Sequence, residues 1–217
     1  MRTPKHSLFF ALALLSMTSC QSVYYGTMEK FGIEKRDILV SRVDDAKESQ
    51  EEAKEQFQSA LDHFTSIVQV NGGELESRYR SLQSEFELSE KRANSVRERI
   101  DAVEKVSLDL FAEWESELEL YSNPSLAAKS RQQMFLTRKA YNTLIAAMKK
   151  AESKMEPVIN AFRDQVLYLK HNLNAKAIAS LKEEAAVVES EIQALIQEME
   201  ASIDEADSFI QSMGIGG

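Results

Sequence analysis

Three sets of residues in this chain have chemistry to offer. The first is Cys20, the one cysteine among 217 residues, which follows Thr18-Ser19 and an apolar run from Leu8 to Leu15. A thiol in that position suits acylation after a cut at its amino side, and it has no second cysteine to pair with. The second set is His63 and His171, the histidines beyond that leader. The third is Glu113, Glu115, Glu117 and Glu119, which alternate through a short stretch around the single tryptophan, Trp114.

These sets do not add up to a reaction centre. A metal site needs three or four converging ligands, and no His-Glu-x-x-His occurs. Carboxylate-bridged di-iron bundles place Glu three residues before His, but Ala60 and Tyr168 stand there before His63 and His171. Carboxylates alone are the one route left to a metal. There is no Gly-x-Ser-x-Gly elbow, and Asn71-Gly72-Gly73-Glu74 lacks the lysine and spacing of a phosphate loop. The expectation is a protein with no catalytic residue, cofactor or metal. Beyond residue 19 the chain carries 24 basic against 35 acidic side chains, net −11, which argues against nucleic acid as a partner.

The glutamates admit two readings. On a helix Glu113 lies one turn from Glu117, and Glu115 one turn from Glu119. That makes either a docking patch for a basic partner, or a weak calcium site, or an ordinary solvated face answered across the turn by Arg131, Arg138 and Lys139.

The leader places the rest. Arg2 and Lys5 precede the apolar run, which is too short for the roughly 20 residues that span a bilayer. Residues 1–19 therefore read as a cleaved lipoprotein signal peptide and Cys20 as the lipidation site, with Gln21 rather than Asp behind it. The expected location is the outer membrane, lipid-anchored and facing the periplasm. The expected partners are the membrane through that anchor and other envelope proteins or a second copy. Residues 20–33 form a tether carrying Tyr24, Tyr25, Met28 and Phe31, which rests on the headgroup layer or packs on the end of the folded body.

Residues 34–213 read as an all-α coiled-coil bundle. Leu39, Ala46, Ala53, Ala60 and Ile67 recur at sevens, interleaved with Val43, Gln50, Phe57 and Phe64; this is a heptad seam. Asn71-Gly72-Gly73 ends it. A second seam combines Leu75, Leu82, Val96, Val103 and Leu110 with Tyr79, Phe86, Ala93, Ile100, Trp114 and Tyr121, interrupted by Ser89, Ser107 and Glu117, and stops at Ser122-Asn123-Pro124. A third carries Met134, Tyr141, Met148, Met155, Phe162 and Leu169, with a kink or restart expected at Pro157. The last repeats Ile178, Ala185, Ile192, Met199, Ala206 and Met213, followed by a C-terminus expected to fray from Phe209 onward. The methionines read as core filler more readily than as an adaptable binding surface.

His171-Asn172-Leu173-Asn174 holds neither Gly nor Pro, so it is a turn or a bend in one long rod. Charge favours the turn. Residues 125–176 hold ten basic against three acidic side chains, net +7, and residues 177–217 one against nine, net −8. Residues 33–70 are net −4 and 74–121 net −6. One basic helix among acidic ones selects neighbours in an antiparallel bundle, whereas a continuous rod of roughly 130 Å would leave half its seam unpaired. Four antiparallel helices are expected, two of about 38 residues flanking two of about 48. Three helices with a long kinked last one is the alternative.

Cys20-Gln21-Ser22, Met28-Glu29-Lys30, Lys35-Arg36-Asp37-Ile38-Leu39-Val40, Glu51-Glu52-Ala53-Lys54-Glu55-Gln56-Phe57 and the stretch from Phe162 to Ala175 together carry a resemblance. The chain resembles a proteobacterial family of predicted lipoproteins, domain of unknown function 2959, over essentially its whole length past the leader. The resemblance implies a Gram-negative envelope protein with Cys20 as its lipid site, and brings no catalytic residues. The function expected is a non-enzymatic spacer or protein-docking bundle. A lipid- or amphiphile-binding bundle is the alternative, and an enzyme comes third.

Overall fold

A computed structural model describes residues 34–69, 75–172 and 174–214. The leader, Cys20, the tether and the Asn71-Gly72-Gly73 stop lie outside the described residues. Four helices follow one another: α1 (Lys35–Gln69), α2 (Leu75–Leu118), α3 (Pro124–His171) and α4 (Ala175–Ser212). There is no strand among the described residues.

Each helix packs on the next, and α4 closes back on α1. Neighbours run antiparallel: Lys47 and Lys54 of α1 reach Asp207 and Glu200 of α4 at 2.8 and 3.5 Å. Asp45 of α1 meets Arg99 of α2 at 3.4 Å, and Glu52 pairs with Arg92. The result is an up-down-up-down four-helix bundle. Its longest helix, α3, has 48 residues and so extends about 72 Å.

The heptads place the core. All nine seam residues of α1 are buried, from Leu39 to Ile67, and so are Met148, Met155, Phe162 and Leu169 of α3. Phe64 and Phe162 meet edge to face across the centre at 6.2 Å between ring centroids. Ser89 and Ser107, which break the α2 seam, are buried as well; each hydroxyl donates to a carbonyl of its own helix, Glu85 O and Glu104 O at 2.7 Å. Gln50 forms a polar layer: Ser202 Oγ donates to its Oε1 at 2.9 Å, while its Nε2 has no partner among the described residues. A polar side chain at a heptad position penalises other registers more than the native one.

The charge pattern chooses the order. Basic α3 lies between α2 and α4, the two most acidic helices. Arg97–Glu156 (2.6 Å) and Arg163–Glu90 (3.1 Å) join it to α2, and Lys150–Glu198 (2.8 Å) joins it to α4.

The helix ends explain the turns. Asn123 accepts from the backbone N–H of Ser125 and Leu126, and Pro124 opens α3, where its missing N–H costs nothing. Helix α3 ends at His171 and α4 starts at Ala175 and packs back along it, which selects the four-helix reading. The backbone N–H of Asn172 donates to Leu169 O, and Asn174 caps α4 through Ala177 N–H. Asn caps thus replace the Gly and Pro that the turn lacks.

Of the two expectations at Pro157, the restart does not occur: helix α3 runs through it; the carbonyl that proline leaves unbonded belongs to exposed Ser153, where water can take the bond. One expectation needs correction. The C-terminus does not fray from Phe209: Phe209 and Met213 are buried, and Gly214, at φ 71°, ends the helix against Arg36. A left-handed exit of this kind favours glycine.

Candidate functional site

Helices α2 and α3 are longer than α1 and α4, and at one end both run past the start of α1. Lys35 at the start of α1 pairs with Glu113 of α2 at 3.0 Å. Gly214 lies beside Arg36. Past that level only α2 and α3 continue, as a hairpin through residues 119–123. We call this the open end.

The hairpin holds itself together with a small core of its own. Phe111, Leu118 and Met134 are buried there, with Trp114 and Tyr141 packed against them. Phe111 and Tyr141 meet edge to face at 5.7 Å, and the Arg138 guanidinium sits 4.7 Å from the Phe111 ring centroid. The Trp114 indole N–H donates to Ser130 Oγ at 2.9 Å. Burial raises the Tyr141 phenol above its usual value, against the Ser107 hydroxyl, which lowers it.

Where the short helices stop, a cleft of about 680 Å³ opens. The ends of α1 and α4 form one wall with Lys35, Arg36 and Met213; the hairpin forms the other with Leu110, Trp114, Glu117 and Gln133. Further large apolar side chains crowd this end in the open. Leu120 is 81 % exposed and Phe135 66 %, with Leu108, Tyr121, Leu126 and Leu136 also exposed.

The four glutamates divide. Glu113 is taken by Lys35, and Glu115 by Arg138 at 2.8 Å. Glu117 and Glu119 are exposed, and Glu117 faces the cleft. Arg138 thus answers the cluster as expected. Among the described residues no ion pair joins Arg131 or Lys139 to it. Lys35 was the counter-charge that reading the turn alone missed.

Two other polar groupings bear on chemistry. Lys149 lies 3.3, 2.9 and 3.2 Å from Asp101, Glu104 and Glu152. Burial lowers its pKa, yet hydrogen bonds to those carboxylates outweigh this and hold it well above the ordinary lysine value. Such a lysine stays an ammonium, the opposite of what a nucleophile or base requires. His63 Nδ1 lies 2.6 Å from Glu85 Oε1, whose other oxygen accepts from Gln56 at 2.7 Å. The imidazole borders a shallow groove with Lys54, Asp62, Ile196 and Glu200. No three His, Cys, Asp or Glu side chains are placed to hold a metal among the described residues, nor is any helix there long and apolar enough to cross a membrane.

The site that remains is a shape: a two-helix projection with its own core and a cleft beside it. The family model described as "Protein of unknown function (DUF2959)" matches residues 24–213. The chain belongs to this family. The DUF2959 match takes in the whole four-helix bundle, the open end included, and begins ten residues before Glu34. No curated protein matches the chain.

Proposed function

We propose that this protein is a non-enzymatic lipoprotein of the bacterial envelope, anchored through Cys20 to the outer membrane and facing the periplasm, whose bundle acts as a spacer and docking surface. One observation carries the reading: the chain enters the bundle at Glu34, on the open end. An acyl group on Cys20, fourteen positions earlier, would hold by one end a rod about 72 Å long. Two or more acyl chains hold a protein stably at a membrane.

The test has two parts. Metabolic labelling with a radioactive fatty acid should mark the wild-type protein and leave Cys20→Ser unlabelled and released from the membrane fraction. Equal labelling of both would end the anchoring reading. For docking, a photo-reactive residue at Glu117 or Glu119 in intact cells should give a discrete protein adduct, lost when the same residue is placed at Lys154 in mid-bundle.

A second reading, an amphiphile-binding bundle, draws on the 680 Å³ cleft with Trp114 and Met213 in its walls. It predicts that a fluorescent fatty acid quenches or shifts Trp114 emission at stoichiometric concentration. Unchanged emission removes it.

A further inference from the structure

The cleft at the open end carries two uncommitted charges of opposite sign. We propose that it binds a single-chain zwitterionic amphiphile, whose headgroup holds an anion and an ammonium and whose chain lies against Trp114. This rests on the amphiphile reading above and names the ligand class for it.

Four observations converge. The first is charge. Lys35 and Glu113, both in the lining, already pair with each other. Arg36 in one wall and Glu117 in the other are exposed, and no ion pair takes either side chain among the described residues. An anionic amphiphile would satisfy Arg36 but bring its charge toward Glu34, Glu113 and Glu117. A cationic one would satisfy Glu117 but meet Lys35 and Arg36. A headgroup with both signs answers both walls.

The second observation is a hydroxyl. Thr137 lines the cleft although it is only 6 % exposed, and its side chain makes no hydrogen bond among the described residues. A buried polar group of this kind favours a ligand that supplies the missing partner, and a headgroup oxygen does so. Third, the apolar lining is one strip of Leu110, Trp114 and Met213, which suits one chain rather than two. Trp114 spends its indole N–H on Ser130, so the ring face is what it offers, a surface for a chain or an ammonium. Fourth, the volume of about 680 Å³ falls within the roughly 300–1,000 Å³ of small-molecule sites.

Trp114 is the single tryptophan, so its emission reports the cleft. With the full chain carrying Cys20→Ser, lauroyl-lysophosphatidylethanolamine below its micelle concentration should shift that emission saturably. It should bind about tenfold tighter than laurate. Glu117→Gln should weaken the lysolipid about tenfold yet tighten laurate, a reversal of sign that a loosened cleft would not produce. Arg36→Gln should weaken both ligands, and Thr137→Val the lysolipid; Leu120→Ser, off the cleft, should change neither. Equal affinity for the two ligands, or Glu117→Gln moving both in one direction, would overturn the proposal and leave the amphiphile reading standing. Saturation by phosphoethanolamine alone at the same concentration would overturn it too, since the chain would then add nothing. Emission unchanged by either amphiphile would remove the amphiphile reading with it.

Discussion

The two ends of this bundle are built from similar residues and come out differently. Towards the end where α1 passes into α2 and α3 into α4, the large side chains of the seams are enclosed. There Phe64 is 1 % exposed, Phe162 0 % and Leu169 1 %. At the open end only α2 and α3 continue, and Phe111, Leu118 and Met134 make a core separate from the main one. Among the described residues, six of the ten large apolar side chains left exposed fall between Leu108 and Leu136. Four helices present a seam to every side of a shared interior, whereas a two-helix ribbon buries one seam and leaves its flanks to solvent or to a partner. The contrast lies in the number of helices that reach each level.

The largest effect that tests this contrast is the loss of an aromatic ring. Phe162→Ala removes a fully buried side chain that packs on Phe64 and should cost about 3–5 kcal/mol. Phe111→Ala should cost roughly half as much, because the hairpin can close toward the gap, and the penalty depends on how far a site collapses. Urea unfolding followed by circular dichroism measures both. Equal losses would mean that the hairpin core is as tightly held as the main core, and the division into two regions would fail. Backbone amides of residues 114–134 should likewise exchange with solvent faster than those of residues 144–166.

Much of this architecture was legible in the chain, and the reasons are physical. Heptad positions are core positions wherever a helix has partners, so Leu39 to Ile67 and Met148 to Leu169 could be named as core from spacing alone. Net charge per segment predicted that acidic α4 would fold back beside basic α3, because opposite charges along two neighbouring helices sum over many pairs. What spacing cannot register is where a partner runs out. Trp114 and Tyr121 take up the α2 heptad again after Ser107, yet Trp114 borders a cleft and Tyr121 is 43 % exposed, since α1 begins only at Lys35, beside Glu113. The unequal helix lengths held that signal. The Lys149 cluster was not legible, because Asp101 and Glu104 are nearly fifty residues away in sequence and meet the lysine only through the α2–α3 register. The fate of Phe209 and Met213 was misjudged because a helix end next to glycines resembles a tail until α1 is found beside it.

A smaller effect sharpens the comparison from the closed region. Lys149 bridges α2 and α3 within the body, with its side chain 39 % exposed. Lys149→Met leaves Asp101, Glu104 and Glu152 facing one another and should cost about 1 kcal/mol after solvent screening. The pH dependence has a definite sign. The folded pKa is raised above the ordinary 10.5, so the folded state holds the proton more tightly than the unfolded chain. The stabilisation is complete below the unfolded value and fades as pH climbs through the folded one. Wild type and variant should therefore differ steadily across neutral pH and converge only in strong alkali. A gap that already closes between pH 7 and 9 would show that the ammonium is not what the three carboxylates hold.

The smallest expected effect is the most discriminating for the open end. Leu120 and Phe135 lie off the cleft and are the most exposed large apolar side chains of the hairpin apart from Leu108. If they face water, Leu120→Ser and Phe135→Ser remove no packed contact and should change stability by less than ~0.5 kcal/mol each. A side chain of the same type in the body costs several times more, because its removal leaves a cavity that the neighbours cannot fill. Chemical denaturation at two protein concentrations distinguishes the cases. A loss above ~1 kcal/mol that is independent of concentration would mean that this face is covered within the chain. A loss that appears only at high concentration would mean that two open ends meet, since an interface between copies strengthens with mass action. A negligible loss at both leaves the hairpin tip an exposed apolar surface on an otherwise charged molecule, the property that a docking surface for another envelope protein requires.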